Sequence, residues 1–411
     1  MYLKLAWRNI WRNRRRTIIT ISAIFFAVFL SVMQRSMKVG SIERTIDQMV
    51  GAFLGHIQVH QKGYWDEQNL DNSFANSPTL LQTIKQTPGV AQVIPRLDSY
   101  ALVAGLERSR AGLIMGIDPI AEKQLSNPEK KLVKGKYLAK ANEEALLIAQ
   151  GLAQYLKVQM GDSLVLLGQG FQGQSATGKY LVKGIIKMPD PKLNKALVYL
   201  PIKTAQSLFA TESRLTTYCI RLDNAKNLTR VRASLQQNLA ETPPKGVAYE
   251  VISWKTMAPE LVQMMEADKQ AGKIMLGVFY MILGFGILGT VLMMTSERRY
   301  EFGVLIGIGM KRFKLGILVF FEMLMLAGIG VILGIVVSLP IAWYLHLNPI
   351  WLTGDMAKAM EGYGMEPIIP FSVDPAIFST QAIIVFVLTM IISIYPMVHT
   401  KRLNVMEALH G

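Results

Sequence analysis

Residue types that could do chemistry are concentrated in one charged segment near the C-terminus, TSERRYEFGVLIGIGMKRFKLG, residues 295–316. Charged side chains lie near both ends of this segment: Glu297, Arg298, Arg299 and Glu301 at the start, and Lys311, Arg312 and Lys314 at the end. Apolar side chains lie between them: Phe302, Val304, Leu305 and Ile308. Flanking charges around an apolar helical pattern suit docking onto another protein more than catalysis. An ordinary positive loop between membrane spans would explain the charges but not the apolar residues.

A second chemically distinctive residue is Glu322, which follows that segment by one to two helical turns inside an apolar stretch. A carboxylate within a membrane span costs about 3 kcal/mol or more unless it is paired, protonated or near the interface. Two alternatives follow, a structural role beside the charged segment and a proton relay. A relay needs further buried polar groups, and the other apolar stretches offer almost none. The sequence therefore favours the structural role.

The other candidate motifs do not predict catalysis, nucleotide binding or metal binding. GQSATGKY, residues 173–180, departs from the phosphate-loop pattern at Tyr180, where a serine or threonine should bind magnesium. His56 and His60 share one face of a predicted strand without a nearby cluster of further ligands. Cys219 is the single cysteine and lies in an alternating strand pattern. We expect no catalytic residue, metal site or cofactor in this chain.

The composition indicates a membrane protein with a substantial soluble part. Hydrophobic residues make up 51% of the chain and charged residues 18%, and the mean hydropathy is +0.28. Four apolar stretches approach or exceed the roughly 17–25 residues that cross a bilayer. We predict spans at residues 17–37, 273–295, 315–345 and 376–398.

The distribution of charge predicts the orientation of these spans. Residues 1–16 hold six bases and no acid, residues 296–314 hold five bases and two acids, and residues 399–411 form a basic tail. With four spans these segments lie on one side, which the positive-inside rule makes the cytoplasm. Both termini are then cytoplasmic, and the net charge of +15 reflects topology. We expect no nucleic-acid partner.

The first 16 residues have the pattern of an amphipathic helix. The apolar face carries Leu3, Ala6, Trp7, Ile10 and Trp11, and the opposite face carries Lys4, Arg8, Arg12 and Arg15. Such a helix should lie in the inner headgroup layer. The following apolar stretch lacks a small-residue cleavage site after Met33, so we interpret it as an uncleaved anchor.

Residues 38–272 predict a large mixed α/β domain outside the membrane, reached through helical extensions of the first two spans. GHIQVHQ, AQVIPRLDSYALVAG, SLVLLG and KYLVKGIIKM have strand patterns, and PTLLQTIKQTPG has a short helical pattern. We predict a helix over EEALLIAQGLAQYLKV, residues 143–158, and an inserted subdomain over about 116–213. Residues 346–375 form a second, shorter external loop.

The order of these features resembles the FtsX-like permease family of ABC transporters, the group that contains the MacB proteins and the lipoprotein-releasing permeases LolC and LolE. The resemblance covers nearly the whole chain. Its specific parts are ERRYEFGVLIGIGMKR from Glu297 to Arg312, then Glu322 with the glycine-rich span after it, and YPMVHTKRLNVMEAL from Tyr395 to Leu409. Val405 stands where the family pattern usually has proline. The external GHIQVHQKGY and LVKGKYL are similar to MacB-type external domains, and the chain has no ATPase domain attached.

The resemblance implies a permease of the bacterial inner membrane with four transmembrane helices and a large periplasmic α/β domain of the MacB type on helical stalks. Two separate ABC ATPase subunits, which hold ATP and magnesium, would bind the cytoplasmic segment 296–314. A second permease subunit, identical or paralogous, would pair around the first two spans. The chain would act as a mechanotransmitter with no nucleotide site of its own. The expected ATPase-coupling residues are Glu297, Arg298, Arg299, Glu301, Phe302, Gly303, Leu305, Gly307, Met310 and Arg312.

Three functions remain open within this family. The leading interpretation is ATP-driven release of lipoproteins from the inner membrane, with a periplasmic carrier. The alternatives are MacB-like efflux of peptides or antibiotics, with an adaptor, and FtsX-like regulation of cell-wall hydrolases. For the first, an apolar path for lipid-linked cargo is expected near the outer leaflet, with these candidate contacts: Phe25, Phe29, Met33, Val278 and Met281.

Overall fold

The computed structural model describes residues 2–12, 14–241, 247–362 and 366–401. The helices are α1 (Tyr2–Arg12), α2 (Arg14–Ile46), α3 (Tyr64–Glu67), α4 (Pro78–Gln86), α5 (Pro119–Leu125), α6 (Gln150–Leu156), α7 (Pro191–Asn194), α8 (Ile202–Leu208), α9 (Leu228–Glu241), α10 (Trp254–Met257), α11 (Pro259–Glu297), α12 (Arg299–Gly307), α13 (Arg312–Leu347), α14 (Asp355–Gly362) and α15 (Pro375–Lys401). The strands are β1 (Ile57–Gln61), β2 (Phe74–Ala75), β3 (Val90–Ala104), β4 (Ser109–Ile117), β5 (Leu132–Gly135), β6 (Ala145–Ala149), β7 (Ser163–Gln169), β8 (Ser175–Ile186), β9 (Leu197–Pro201), β10 (Arg214–Leu215), β11 (Thr217–Leu222), β12 (Tyr249–Ser253), β13 (Ile350–Trp351) and β14 (Ile368–Ile369).

The chain divides into two compact units. The helical unit comprises residues 1–43, 264–351 and 368–411, and the α/β unit comprises residues 44–263 and 352–367. In the described part of the chain, four helices are long and apolar enough to cross a membrane: Thr17–Ile46, Pro259–Glu297, Arg312–Leu347 and Pro375–Val398. The four predicted apolar helices are therefore confirmed, and the predicted span limits inside them stay predictions.

The helical unit has its own apolar core, to which α2, α11, α13 and α15 contribute. Ile24, Val28, Val291, Met323 and Val385 are among its fully or nearly fully buried members. The glycines Gly330 and Gly334, which have GxxxG spacing on α13, pack against α2 of the same chain. A Cβ on Gly330 would lie 2.8 Å from Ile24, and one on Gly334 would lie 2.7 Å from Val28. Glycine is required there because α2 and α13 approach too closely for a larger side chain.

The α/β unit is built on a ten-stranded sheet with the order β12-β1-β11-β3-β4-β9-β6-β8-β5, in which β7 pairs with both β3 and β8. The pairing closes a ring of six strands: β3, β4, β9, β6, β8 and β7. Side chains pointing inward from these strands form one buried apolar cluster with α6 and α8. The predicted inserted subdomain, residues 116–213, stays a prediction, and strands of that segment join this same sheet.

Most of the predicted α/β pattern is confirmed, with one error in the segment 143–158. The PTLLQTIKQTPG helix is α4, and the GHIQVHQ strand is β1. The predicted single helix over 143–158 is wrong, because Ala145–Ala149 is the strand β6 and only Gln150–Leu156 is helical. All five residues of β6 are buried, between β8 and β9. A short apolar run buried on both faces has no alternation, so its periodicity does not separate strand from helix.

A buried ion pair joins α5 to the sheet at Arg96, the residue of β3 at which pairing with β11 ends and pairing with β4 begins. Arg96 is paired with Thr217 of β11 and with Ile117 of β4. Its guanidinium donates to both carboxylate oxygens of Glu122, at 3.0 and 2.6 Å, and to the carbonyl of Phe53 at 2.6 Å. Phe53 lies in a π-helical turn, Asp47–Leu54, which enters the domain. The hydrogen bond from Arg96 therefore fixes the end of that turn to β3, inside the sheet.

Candidate coupling site

The charged segment predicted to couple the chain to an ATPase, residues 296–314, folds as the short helix α12 between α11 and α13. Arg298 stands immediately before α12. The helix ends at Gly307, and Gly309 follows with a φ of 101°, a conformation that favours glycine. Lys311 is extended and directly precedes α13. The segment is thus a short helix that a break at Arg298 separates from α11 and a turn at Gly309 separates from α13.

A buried charge network holds this segment in place. Arg298 and Glu322 are 3% and 1% exposed, and they form an ion pair in which Arg298 Nη2 lies 3.3 Å from Glu322 Oε1. Asn9 of α1 donates to the same Glu322 oxygen at 2.6 Å. Glu322 therefore connects three elements, α1, the coupling segment and α13. The structural role of Glu322 stays a prediction, and the pairing with Asn9 was not predicted.

Glu301 extends the network toward the protein surface. Its Oε2 accepts from Arg298 Nε at 3.2 Å and lies 2.6 Å from Arg12 Nη2. Burial disfavours the Arg298 cation, but the facing carboxylates Glu322 and Glu301 outweigh that effect and raise the pKa of Arg298 above its ordinary value. Arg298 therefore stays charged, and its guanidinium lies 5.1 Å from the ring centroid of Phe302.

The predicted coupling residues divide into a buried and an exposed set. Phe302 is 1% exposed and packs with Leu315 and Val319, with Leu305 and Met310 partly buried against them. Gly303 is also buried. These residues hold α12 against α13, so Phe302 and Gly303 cannot enter a groove on another protein. Glu297, Arg299, Gly307 and Arg312 are exposed.

We call four exposed residues the docking face: Tyr300 and Gly307 of α12, Ile308 directly after it, and Phe313 at the start of α13. Tyr300 is 60%, Ile308 81% and Phe313 58% exposed, and a Cβ on Gly307 would meet no atom within 4 Å. Exposed bases lie beside it, at Arg299, Lys311 and Lys314. Sequence reasoning missed Tyr300 and Phe313 because a nine-residue helix has too few turns to show which side is buried.

The N-terminal helix packs on the same region. Ala6 and Ile10 are buried, whereas Trp7 and Trp11 are about half exposed, with their ring centroids 5.9 Å apart in an edge-to-face arrangement. The Thr17 hydroxyl donates to the carbonyl of Ile10 and fixes the junction of α1 and α2. The predicted apolar face of α1 is therefore partly in the protein core and partly at the surface. The side chain of Leu3 lies outside the described residues. The part of the C-terminal motif beyond Lys401 also lies outside them.

The predicted cargo contacts lie on two helices and differ in exposure. Phe25 and Phe29 stack with their ring centroids 6.0 Å apart on α2, and Met33 packs against the apolar core. On α11, Val278 is 47% and Met281 61% exposed. Within the described residues no group of three or more metal-ligating side chains is present. His56 and His60 are both buried in packing positions.

Residues 273–405 match the family model described as FtsX-like permease C-terminal. This part of the chain is an FtsX-like permease domain, in agreement with the resemblance carried by its residues. The chain is similar to the lipoprotein-releasing system transmembrane protein LolC of Xylella fastidiosa, with 23% identity over 332 residues and 78% of each chain covered. It is also similar to the LolE protein of that system in Haemophilus influenzae, with 19% identity and 98% of each chain covered.

A solved structure also resembles the chain, the periplasmic region of MacB from Actinobacillus actinomycetemcomitans. The identity is 14%, the TM-score is 0.37, and the match covers 54% of this chain and 97% of that one.

Proposed function

We propose that this protein is the membrane subunit of an ABC transporter that releases lipoproteins from the outer leaflet of a bacterial inner membrane. Two separate ATPase subunits, carrying ATP and magnesium, bind the cytoplasmic docking face. The FtsX-like permease domain supports the transporter class. The similarity to proteins named as LolC and LolE of lipoprotein-releasing systems supports the cargo.

The observation that carries the coupling role is the buried charge network around Glu322. A segment that receives force from another subunit must be fixed to the elements that it moves. Arg298, Glu322 and Asn9 join α12 to α13 and α1 through a buried ion pair and a partly buried hydrogen bond. Such protected contacts transmit displacement better than the exposed pairs on the surface, which water and salt weaken.

The docking face fits a groove on an ATPase subunit. Tyr300, Ile308 and Phe313 offer apolar and aromatic surface of the kind that dominates binding energy at protein interfaces. The neighbouring bases would set the orientation of the partner through electrostatic complementarity. In this proposal the docking face contacts the ATPase, while Phe302, Leu305 and Met310 hold α12 in position.

In this proposal the termini and the docking face are cytoplasmic, the α/β unit is periplasmic, and a second permease subunit, identical or paralogous, completes the complex. Lipid-linked cargo enters beside α2 and α11, where Phe25 and Phe29 form an aromatic ladder and Met281 is exposed. A periplasmic carrier or adaptor receives the released cargo.

A photo-crosslinking experiment tests the cargo. A photoreactive amino acid is placed at Met281, which is 61% exposed, and at Ile383 of α15 as a control with 62% exposure at a similar depth in its predicted span. In membranes carrying the whole complex without nucleotide, Met281 should capture a lipoprotein and Ile383 should not. ATP and magnesium should abolish the capture. Capture of soluble peptide alone would replace lipoprotein release by efflux, and equal capture at both positions would contradict a cargo path beside α11.

A further inference from the structure

A cavity of about 210 Å³ lies between α2 and α11 in the helical unit. One water occupies about 30 Å³ in the liquid, so the cavity has room for a group of several non-hydrogen atoms. Its polar wall is formed by Gln34, Arg35 and Lys38 of α2 and by Asp268 of α11. Its apolar floor includes Met275 and Leu276. Polar and apolar walls in one small site suit a ligand that has both characters.

The charges of the cavity leave one positive group without a partner carboxylate. Lys38 forms an ion pair with Asp268, and the two charges compensate each other. Arg35 has no carboxylate within ion-pair distance among the residues that the structure describes. The net charge of these three groups is therefore about +1, which matches a ligand carrying one negative charge. A guanidinium can bind two oxygens of a phosphate at once, and the Gln34 amide supplies a further donor.

The backbone of α11 makes room for the polar wall at Gly272. A Cβ there would lie 3.3 Å from Cε of Lys38, closer than most side-chain contacts. The glycine therefore lets the lysine stem lie flat against α11 and reach Asp268. This keeps the lysine engaged with its own partner and leaves Arg35 to face the cavity.

An apolar stripe continues from the cavity floor along α11. Met275, Val278, Ile282 and Phe285 are 62%, 47%, 63% and 66% exposed. Their spacing of three, four and three residues places them on one side of the helix. The stripe begins where the polar wall ends. An amphiphile with its headgroup in the cavity would therefore have its apolar chains along α11.

The position of the cavity along the chain corresponds to the edge of a bilayer. Residues 17–33 of α2 contain no charged side chain, and Gln34 and Arg35 follow directly. Seventeen helical residues extend roughly 25 Å at 1.5 Å each, close to the roughly 30 Å of the hydrocarbon layer. Arg35 therefore lies at the depth of the lipid headgroups at the end of α2 opposite the docking face.

We propose that this cavity binds the phosphodiester headgroup of an anionic phospholipid, with Arg35 as the principal ligand and the acyl chains along the α11 stripe. The site requires neither ATP nor a partner subunit, so the proposal does not rest on the proposed transport function. The same phosphate chemistry could be supplied by a soluble anion, and the experiment separates the two sources.

The test measures phospholipid retained by the full chain in nanodiscs of phosphatidylcholine containing a fraction of phosphatidylglycerol. After transfer to detergent, native mass spectrometry counts the lipids that remain bound. The wild-type protein should retain one phosphatidylglycerol per chain in preference to phosphatidylcholine. Arg35→Gln should lower that retention about tenfold or more, because a hydrogen bond to a charged group contributes about 1.5–3 kcal/mol. The matched control Lys273→Gln removes an exposed charge of α11 that does not line the cavity and should retain lipid normally.

Five further results decide the proposal. Equal retention by wild type and Arg35→Gln would overturn it, and so would equal losses in Arg35→Gln and Lys273→Gln, which would indicate unspecific attraction. The soluble competitors glycerophosphoglycerol and inorganic phosphate should not displace the lipid at millimolar concentration. Displacement by phosphate alone would show that the ligand of the cavity is a soluble anion and not a lipid. Melting temperatures of all variants in pure phosphatidylcholine should agree with the wild type, and Arg35→Lys should restore part of the retention.

Discussion

At the residue scale, the ion pair between Arg298 and Glu322 is the feature on which the coupling site depends. Removing one partner of a buried pair leaves an uncompensated charge, which costs about 3–5 kcal/mol, whereas an exposed pair contributes less than about 1 kcal/mol. The described network contains the buried pair of Arg298 with Glu322 and the pair of Arg12 with Glu301, in which the Arg12 side chain is 60% exposed. The two arginines therefore allow a comparison with matched substitutions.

We expect Arg298→Met to destabilise the helical unit strongly and Arg12→Met to have little effect. Arg298→Met combined with Glu322→Gln should recover part of the loss, because the buried charge is then absent. Chemical unfolding in detergent, followed by circular dichroism, measures these differences. Similar small effects for both arginines would show that Glu322 does not depend on Arg298.

A second prediction concerns Asp98 in the α/β unit, whose burial raises its pKa to about 6. Oδ1 has no hydrogen-bond partner among the described residues, and Oδ2 accepts only a long bond, 3.3 Å, from Thr217. The folded state therefore holds a proton that the unfolded chain releases near pH 4. As the pH rises from about 4 to about 6, the contribution of Asp98 to stability falls.

Replacing Asp98 by asparagine isolates that contribution. Burial lowers the pKa of His60 to about 4, which makes stability rise with pH over the same range, so the wild-type profile combines opposite effects. Asp98→Asn leaves His60 in place. The melting temperature of the variant should rise relative to wild type between pH 4 and 7, and a constant difference would contradict the raised pKa.

At the scale of elements, the glycines of α13 decide how closely α2 packs. Gly334→Leu should force the helices apart, since the first added carbon already lies 2.7 Å from Val28, and overpacking costs about 1–3 kcal/mol. Gly328 of the same helix, whose Cβ would meet nothing within 4 Å, provides the control, and Gly328→Leu should be tolerated. Detergent unfolding of the two variants checks this, and equal stability would place the α2–α13 contact in doubt.

Elements with strong periodicity were predictable from the sequence, and elements defined by tertiary contacts were not. The apolar helices and the amphipathic α4 follow from residue patterns alone. The strand β6 did not, because a run buried on both sides loses its alternation. At the coupling site the sequence indicated that Glu322 could reach the charged segment. It could not indicate Asn9, which is 313 residues away, or which side of α12 is exposed.

At the scale of the whole molecule, the proposed orientation predicts that the α/β unit and the docking face lie on opposite sides of the membrane. Leu106→Cys and Ile308→Cys place thiols at positions that are 97% and 81% exposed. Burial raises the pKa of the native Cys219 thiol to about 12, so the parent protein should remain unlabelled. In intact spheroplasts an impermeant maleimide should label Leu106→Cys only. Labelling of both, or of Ile308→Cys alone, would contradict the orientation.

Coupling to the ATPase through the docking face is tested by the effect of Gly307→Arg on ATPase binding and coupled activity. Gly307 is exposed with open space around it, so the new side chain should leave the fold unchanged while obstructing the docking face. Asn348→Arg adds the same charge at an exposed position at the other end of α13 and serves as the control. We expect Gly307→Arg to lose co-purification with the ATPase or to lose cargo release driven by ATP, while Asn348→Arg retains both. Full complex formation and full coupled release by Gly307→Arg would contradict coupling through the docking face.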